Sequence, residues 1–385
     1  MDLELNDVQR ELGSTVRRLL RTKYNAEARD ALLASEQGFS RDMWNQYAEL
    51  GLLSLPFAEE YDGAGMGFAE VAVVMEEFGK ALVLEPYLST VVLGGGLVAA
   101  AGSDAQKKDI IPGIVSGERL LAFAGYEPAG RYELSAPATK AAESGEGATI
   151  TGEKTAVLGA PDADLFVVSA ATDSGVGLFL VEAGAGGVTV SPRVQADGLR
   201  TGSVLFDGAQ AQRLGSGDAT AAIQAVIDTA NAALAAEAVG AMEASLMMTA
   251  DYLKTREQFG APIGRNQALQ HRAADAYATL EGAKSMALYA KLAITGAEGD
   301  GAASEAGKDR HRDILAAKLV IDQAAHEISQ ESIQLHGGIG MTMEYPIGHY
   351  AKRLTVIPRT FDDQDGVTQE LAALGGLIEP SAMDV

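Results

Sequence analysis

Cysteine is absent from the 385 residues. That excludes disulfides, thiolate metal sites and a cysteine nucleophile, and it is compatible with a reducing cytosol, so a cytoplasmic location is the expectation. Histidine is scarce too: His271, His311, His326, His336 and His349 are scattered singly, and no metal is expected. Positive charge is in short supply. Thirty Lys and Arg stand against 53 Asp and Glu, a formal net charge of −23. Such a surface repels nucleic acid and anionic membranes and argues against any polyanion-binding role. The first residues, Met-Asp-Leu-Glu-Leu-Asn, lack the basic and apolar regions of a secretory signal. The longest uncharged run, Pro86 to Ser103, just reaches spanning length. It carries Pro86, Tyr87, Ser89, Thr90 and Gly94 to Gly96, so a helix pair buried inside a globular domain is expected there, and no membrane association.

What is present is an apolar fraction of 47%, enough for large cores in two or three domains. Residues 1–118 read as helical: Leu12, Val16, Leu19 and Leu20, then Met43, Tyr47, Leu50 and Leu53, recur at helical spacing, with Ser40 placed as an N-cap. Gly63, Gly65 and Gly67 mark a loop. Residues 119–218 change character. Short strand-like runs (120–124, 148–150, 165–170, 177–181, 188–190, 204–206) alternate with Gly, Pro and Asp, which predicts a compact β-sandwich or distorted barrel. From 219 to 385 long Ala-rich helices return, over 219–252, 267–293 and 309–335, and predict a four-helix bundle with a flexible connection at 295–307. The fold class is therefore mainly α with a central β-domain.

Two segments carry chemistry. Arg256-Glu-Gln-Phe-Gly260 ends one bundle helix and offers a cation and an amide. Gln334-Leu-His-Gly-Gly-Ile-Gly340 places Gly337 and Gly338 at another helix end, where missing side chains let a ligand reach the main chain. A cation plus free backbone N–H groups is what a pyrophosphate needs. Together with Glu344-Tyr345-Pro346, these segments resemble the acyl-CoA dehydrogenase family, and the order helical domain, β-domain, helix bundle extends the resemblance over the whole chain.

The resemblance implies FAD as cofactor and α,β-dehydrogenation of an acyl-CoA thioester, with electrons passed to a separate acceptor. It implies that Arg256 and Gln258 contact the pyrophosphate, that Phe259 packs near the adenine, and that Gln267, Gln334, Leu335, Gly337 and Gly338 complete the grip. In the family, FAD lies between the β-domain of one subunit and the bundle of its neighbour, so a dimer is the smallest competent unit. Against a charge of −23, any site for CoA needs local positive charge.

Other family positions are altered. The Thr-Glu-Pro segment along the flavin ring is Tyr126-Glu-Pro128, with Arg131 and Tyr132 where Ser is usual. Thr151-Gly-Glu-Lys154 matches a family turn between strands, and the Trp and Thr that follow it become Ala156 and Leu158. The two known positions of the catalytic carboxylate fall on Phe361 and Ala230. Asp362 and Asp363 are adjacent substitutes, and solvated loop carboxylates are the plainer reading of both. Glu237 reads as structural, paired with an Arg or Lys. A kept tail grip beside an eroded ring side points to one subunit of a heteromeric dimer or tetramer, for steroid-derived or other bulky acyl-CoA. The alternatives are a homomeric enzyme using Asp362 or Asp363, a flavin-free scaffold, and a flavin monooxygenase of the same fold.

Overall fold

The computed structural model describes residues 5–144, 147–296, 305–342 and 344–375. The N-terminal helices are α1 (Asp7–Lys23), α2 (Ala26–Ala34), α3 (Arg41–Glu49), α4 (Phe68–Ala81), α5 (Gly96–Ala101) and α6 (Asp104–Val115). Their starts are written in short polar residues: Asn6 and Gln9 form a capping box on α1, and Ser40 accepts from the Met43 N–H at 3.1 Å at the start of α3. The apolar run at 86–103 is one buried helical stretch, not a pair. A π-helical segment, Leu88–Gly95, runs straight into α5. Its glycines stay helical because they make room. A Cβ on Gly94 would stand 2.5 Å from Leu121 Cβ, and one on Gly95 would stand 2.6 Å from the Phe57 ring.

The β-domain contains β1 (Leu121–Ala124), β2 (Lys140–Ser144), β3 (Gly147–Leu158), β4 (Leu165–Thr172), β5 (Gly175–Glu182), β6 (Val188–Val194) and β7 (Arg200–Leu214). The pairs β4–β5, β5–β7, β7–β3 and β3–β2 close through Lys140 and Ala171 into a barrel; β1 lies parallel beside β4, and β6 pairs with β7. The Thr151–Lys154 segment, expected as a turn, lies inside β3. Bulges after Ile150 and Lys154 absorb its irregularity. Alternation assigns the two faces of β1. Ala122 and Ala124 join Phe166, Phe179 and Phe206 inside the barrel, while Leu121 and Phe123 join the helical core. Thr90 of the π-helical segment exchanges hydrogen bonds with the main chain of Leu121, which pins the barrel to the helices.

The C-terminal region holds α7 (Thr220–Thr255), a small hairpin of β8 (Glu257–Gln258) and β9 (Ala261–Pro262), α8 (Gln267–Gly296), α9 (Glu305–His336), α10 (Ile347–Val356) and α11 (Gln364–Leu374). The expected flexible connection falls mainly on 297–304, outside the described residues; Thr295 and Gly296 complete α8. Helix α7 is buried almost all round from Ile223 to Met242. It crosses α4 in backbone contact, because a Cβ on Gly240 would lie 2.0 Å from Glu76 O and one on Gly79 would lie 1.9 Å from Glu237 O. Glu237 does pair with an arginine. Arg353 of α10 holds it in a fork at 2.6 and 2.8 Å and reaches Asp197 of the barrel at 2.8 Å, so one buried guanidinium ties bundle to β-domain.

Candidate functional site

Helices α7 and α9 run parallel. Asp228 near the start of α7 meets His311 near the start of α9, and Tyr252 near the end of α7 stacks on His336 at the end of α9, with ring centroids 4.5 Å apart. The two sequence segments therefore come to the same end of the bundle. Arg256 is the C-terminal cap of α7, and its N–H bonds Tyr252 O at 2.8 Å. The hairpin beyond it turns on Phe259 (φ 53°) and Gly260 (φ 79°). Phe259 thus holds left-handed backbone with its side chain fully exposed. Ile339 and Met341 are exposed as well, Met341 by 78%.

Arg256, Gln258, Gln267 and Gln334 are exposed here. Gly337 (φ +66°) and Gly338 are exposed too, and a Cβ on either would meet nothing within 4 Å. Leu335 differs: its side chain is buried, so it presents only main chain to this face. His336 donates through Nδ1 to Ser332 O at 2.7 Å, burial holds its pKa below the usual value, and its buried Nε2 lacks a partner among the described residues. Tyr252, His336 and Tyr345 thus form an aromatic floor beside the glycines.

Several of the altered residues, Tyr126, Arg131, Tyr132, Phe361 and Asp362, line a cavity of about 530 Å³ between the barrel and the opposite end of the bundle, whereas Leu158 lies in a separate pocket against the N-terminal helices. Tyr126 is buried there. Its ring lies 25° from the Phe361 ring and edge-on to Tyr132, and its hydroxyl donates to Phe361 O at 3.3 Å. Phe361 has φ 69°. Asp363 caps α11, accepting from the Gly366 N–H at 3.1 Å, and pairs with Arg131; the Gly366 contact heads the causes that hold its pKa low. Those engagements argue against a proton-abstracting role for it. Asp362 lines the cavity, and burial raises its pKa against the Asp363 N–H it accepts at 2.7 Å. Its carboxylate is tucked over Gly366, where a Cβ would stand 2.1 Å from Oδ1. Ala230 is fully buried, and Ala156 is exposed, leaving no wall.

Sequence reasoning missed several buried polar groups elsewhere in the fold. Burial lowers the Lys154 pKa to about 8 against its bond to Glu127, and Lys154 with the Thr139 and Ala138 N–H groups outweighs burial to hold Glu127 at about 2. Burial raises Glu85 to about 7, although it accepts from Ser40 N and Tyr47 Oη. His311 lies between Asp228 at 2.7 Å and Glu370 at 3.0 Å. A charged residue within an Ala-rich helix was the available signal for Asp228. Among the described residues no group of side chains suits a metal ion, and no helix is long and apolar enough to cross a membrane.

The sequence matches the acyl-CoA dehydrogenase N-terminal domain over 6–118, the middle domain over 122–209 and the C-terminal domain over 219–358. Acyl-CoA dehydrogenase FadE27 of Mycobacterium tuberculosis is 31% identical over 353 residues, covering 91% of this chain and 92% of that protein. Among solved structures, the ChsE4-ChsE5 complex from Mycobacterium tuberculosis is similar at TM-score 0.87 and 29% identity, covering 97% of this chain and 98% of that one. A variant of the Tcur3481-Tcur3483 steroid ACAD is similar at TM-score 0.85 and 31% identity, covering 96% and 97%. With all three domains matched in order, this chain belongs to the acyl-CoA dehydrogenase family of FAD-dependent oxidoreductases.

Proposed function

We propose that this chain is the subunit of a heteromeric acyl-CoA dehydrogenase that grips the pyrophosphate and adenosine of FAD seated in a partner's β-domain. The observation that carries the reading is the stacked aromatic pair on its own ring side. Tyr126 and Phe361 pack on each other where the family places the flavin edge and the base, while the tail-binding end stands open. The exposed Arg256, Gln258 and Gln334, with the bare main chain at Gly337 and Gly338, suit a diphosphate. About 38 Å of helix axis separates Asn231, at the ring-side cavity, from Arg256 at 1.5 Å per residue. That separation suits a flavin whose tail lies against this chain while its ring sits in another chain's β-domain.

Bound FAD would supply a hydride acceptor. This chain's part would be to hold its charged tail, and the partner would bring the ring wall and the base. The neighbours described as a steroid ACAD and as a two-component complex favour steroid-derived or other bulky acyl-CoA as substrate. A separate protein would take the electrons.

A second reading has one observation behind it. Asp362 faces the cavity with a raised pKa, as a base in a homomeric enzyme would. One experiment separates the two. The chain is expressed alone and with acyl-CoA dehydrogenase-like chains encoded beside it, and flavin per chain and acyl-CoA-dependent bleaching are measured. The heteromer predicts one FAD per pair and activity only in the pair. A fully flavinated, active protein from this chain alone would refute it.

A further inference from the structure

Glu85 lies in the turn between α4 and the π-helical segment and is 5% exposed. Its carboxylate accepts from neutral donors: the Ser40 N–H at 3.1 Å through Oε1, and Tyr47 Oη at 3.3 Å through Oε2. Both donors belong to α3 and its N-cap, so one buried carboxylate fastens that helix to the α4 turn. Among the described residues Glu85 makes no ion pair, because the cations around it are engaged elsewhere. Arg29 of α2 donates to Leu82 O and Asp197 O and meets His349 Nδ1, and Arg41 of α3 donates to Gly117 O. Arg353 of α10 holds Glu237 of α7 and Asp197, and Arg200 of the barrel pairs with Asp162 at 3.2 Å. The remaining titratable neighbours are the hydroxyls of Tyr24, at the end of α1, and Tyr47. Burial first, then the charge of Glu85, pushes both well above their usual range, so they stay neutral.

A buried carboxylate without a cation is held in its neutral form, since the interior penalises the charge. Burial accordingly raises Glu85 from 4.5 to about 7. The docked arrangement thus gains stability that is complete below 4.5, falls as pH rises towards 7 and levels off above it. What Glu85 fastens is short. Helix α3 is nine residues long, and the segment before it, 35–40, meets the barrel where Arg200 donates to Glu36 O. Phe39 of that segment lines one cavity together with Leu158, the residue at the family's ring-flanking position. Helix α3 also carries Trp44, the one tryptophan of the chain, fully buried with its Nε1 donating to Gly117 O at 3.0 Å.

We propose that Glu85 is a proton-operated latch on residues 35–49. Protonated, it keeps Ser40 and Tyr47 docked. Ionised, it favours a locally opened state in which the carboxylate reaches water and Phe39 leaves the cavity it shares with Leu158. The latch is independent of FAD binding and of the choice between homomeric and heteromeric assembly.

The test is amide hydrogen exchange of the full chain from pH 5.5 to 8, read by mass spectrometry and corrected for the intrinsic rate. The opened fraction of α3 is expected to rise about 10- to 30-fold between pH 5.5 and 7.5 and then to level off. Quenching of Trp44 fluorescence by acrylamide should follow the same curve. Glu85→Gln keeps an acceptor for the Ser40 N–H without an ionisable group, and the rise should be absent. Tyr47→Phe leaves Glu85 in place and removes one hydrogen bond from its charged form, so the curve should move to higher pH. A wild-type α3 whose opening is constant with pH, the same rise in Glu85→Gln, or an unmoved curve in Tyr47→Phe would each overturn the proposal. A rise shared equally by the amides of α9 would be global unfolding and would overturn it too.

Discussion

Replacing His311 should change how stability depends on pH. Burial alone would lower its pKa, but the hydrogen bonds and charges of Asp228 and Glu370 outweigh burial and raise it from 6.5 to about 9. A group whose folded pKa is raised contributes stability that is complete below 6.5 and is lost as pH rises through 9. At about 1.4 kcal/mol per tenfold change in proton affinity, the full contribution is about 3 kcal/mol. Part of the raising comes from Glu370, which is 45% exposed and screened, so about 2 kcal/mol is the working figure. His311→Gln keeps a hydrogen-bonding group of similar reach without the charge. Its deficit against the wild type, from urea unfolding, should be largest at pH 6 and shrink steadily towards pH 9.5. The comparison must be made as a difference, since Glu85 near 7 and Lys154 near 8 titrate in the same window in both proteins. A deficit constant from pH 6 to 9.5 would show that His311 is not held charged by Asp228, and would refute the reasoning.

Further outcomes follow from the two ends of the bundle. Arg256→Ala should weaken FAD retention by about 1.5–3 kcal/mol, one charge-assisted phosphate contact, in whatever complex binds the flavin; unchanged flavin content after gel filtration would remove Arg256 from the grip. Gly240→Ala forces a Cβ to within 2.0 Å of Glu76 O, so α4 and α7 must part, and a loss of about 1–3 kcal/mol or more is expected in thermal unfolding. A variant as stable as the parent would mean that the helices do not cross in backbone contact. In a homomeric enzyme Asp362→Asn should abolish substrate bleaching with the flavin retained, whereas in the heteromer it should leave turnover within a few-fold. Asp363→Asn is expected to leave turnover unchanged in either assembly, since asparagine still accepts the Gly366 N–H at the cap and only the exposed pair with Arg131 is lost.

Much of the architecture was legible in the sequence because it rests on local rules. Ala-rich periodicity announced α7, α8 and α9, Ser40 announced the start of α3, and alternating short apolar runs announced the barrel strands. The edges were less legible. Strand β2, with Lys140, Glu143 and Ser144, has no apolar pattern because it is largely exposed, and it forms through pairing with β3. The segment Thr151–Lys154 looks like a turn, yet bulges let it continue β3 while Lys154 drops into the interior.

The chemistry divides the same way. The residues of the proposed phosphate grip, Arg256 and Gly337, and the apolar Phe361 and Ala230 at the positions the family resemblance gives to the base can be read in the sequence itself. Tertiary structure alone decided where they meet. Parallel packing of α7 and α9 brings Arg256 and Gly337 to one end and leaves Asn231 and Phe361 at the other. It also decided how the carboxylates are engaged: Asp363 caps α11 and pairs with Arg131, while Asp362 accepts from the Asp363 N–H and lines the cavity. Arg310 shows the limit most plainly. In sequence it is one cation among 30, and only the packing of α9 against α7 buries it beside Asp228. Burial and partnership are properties of the pairing between distant segments, and no local pattern encodes them.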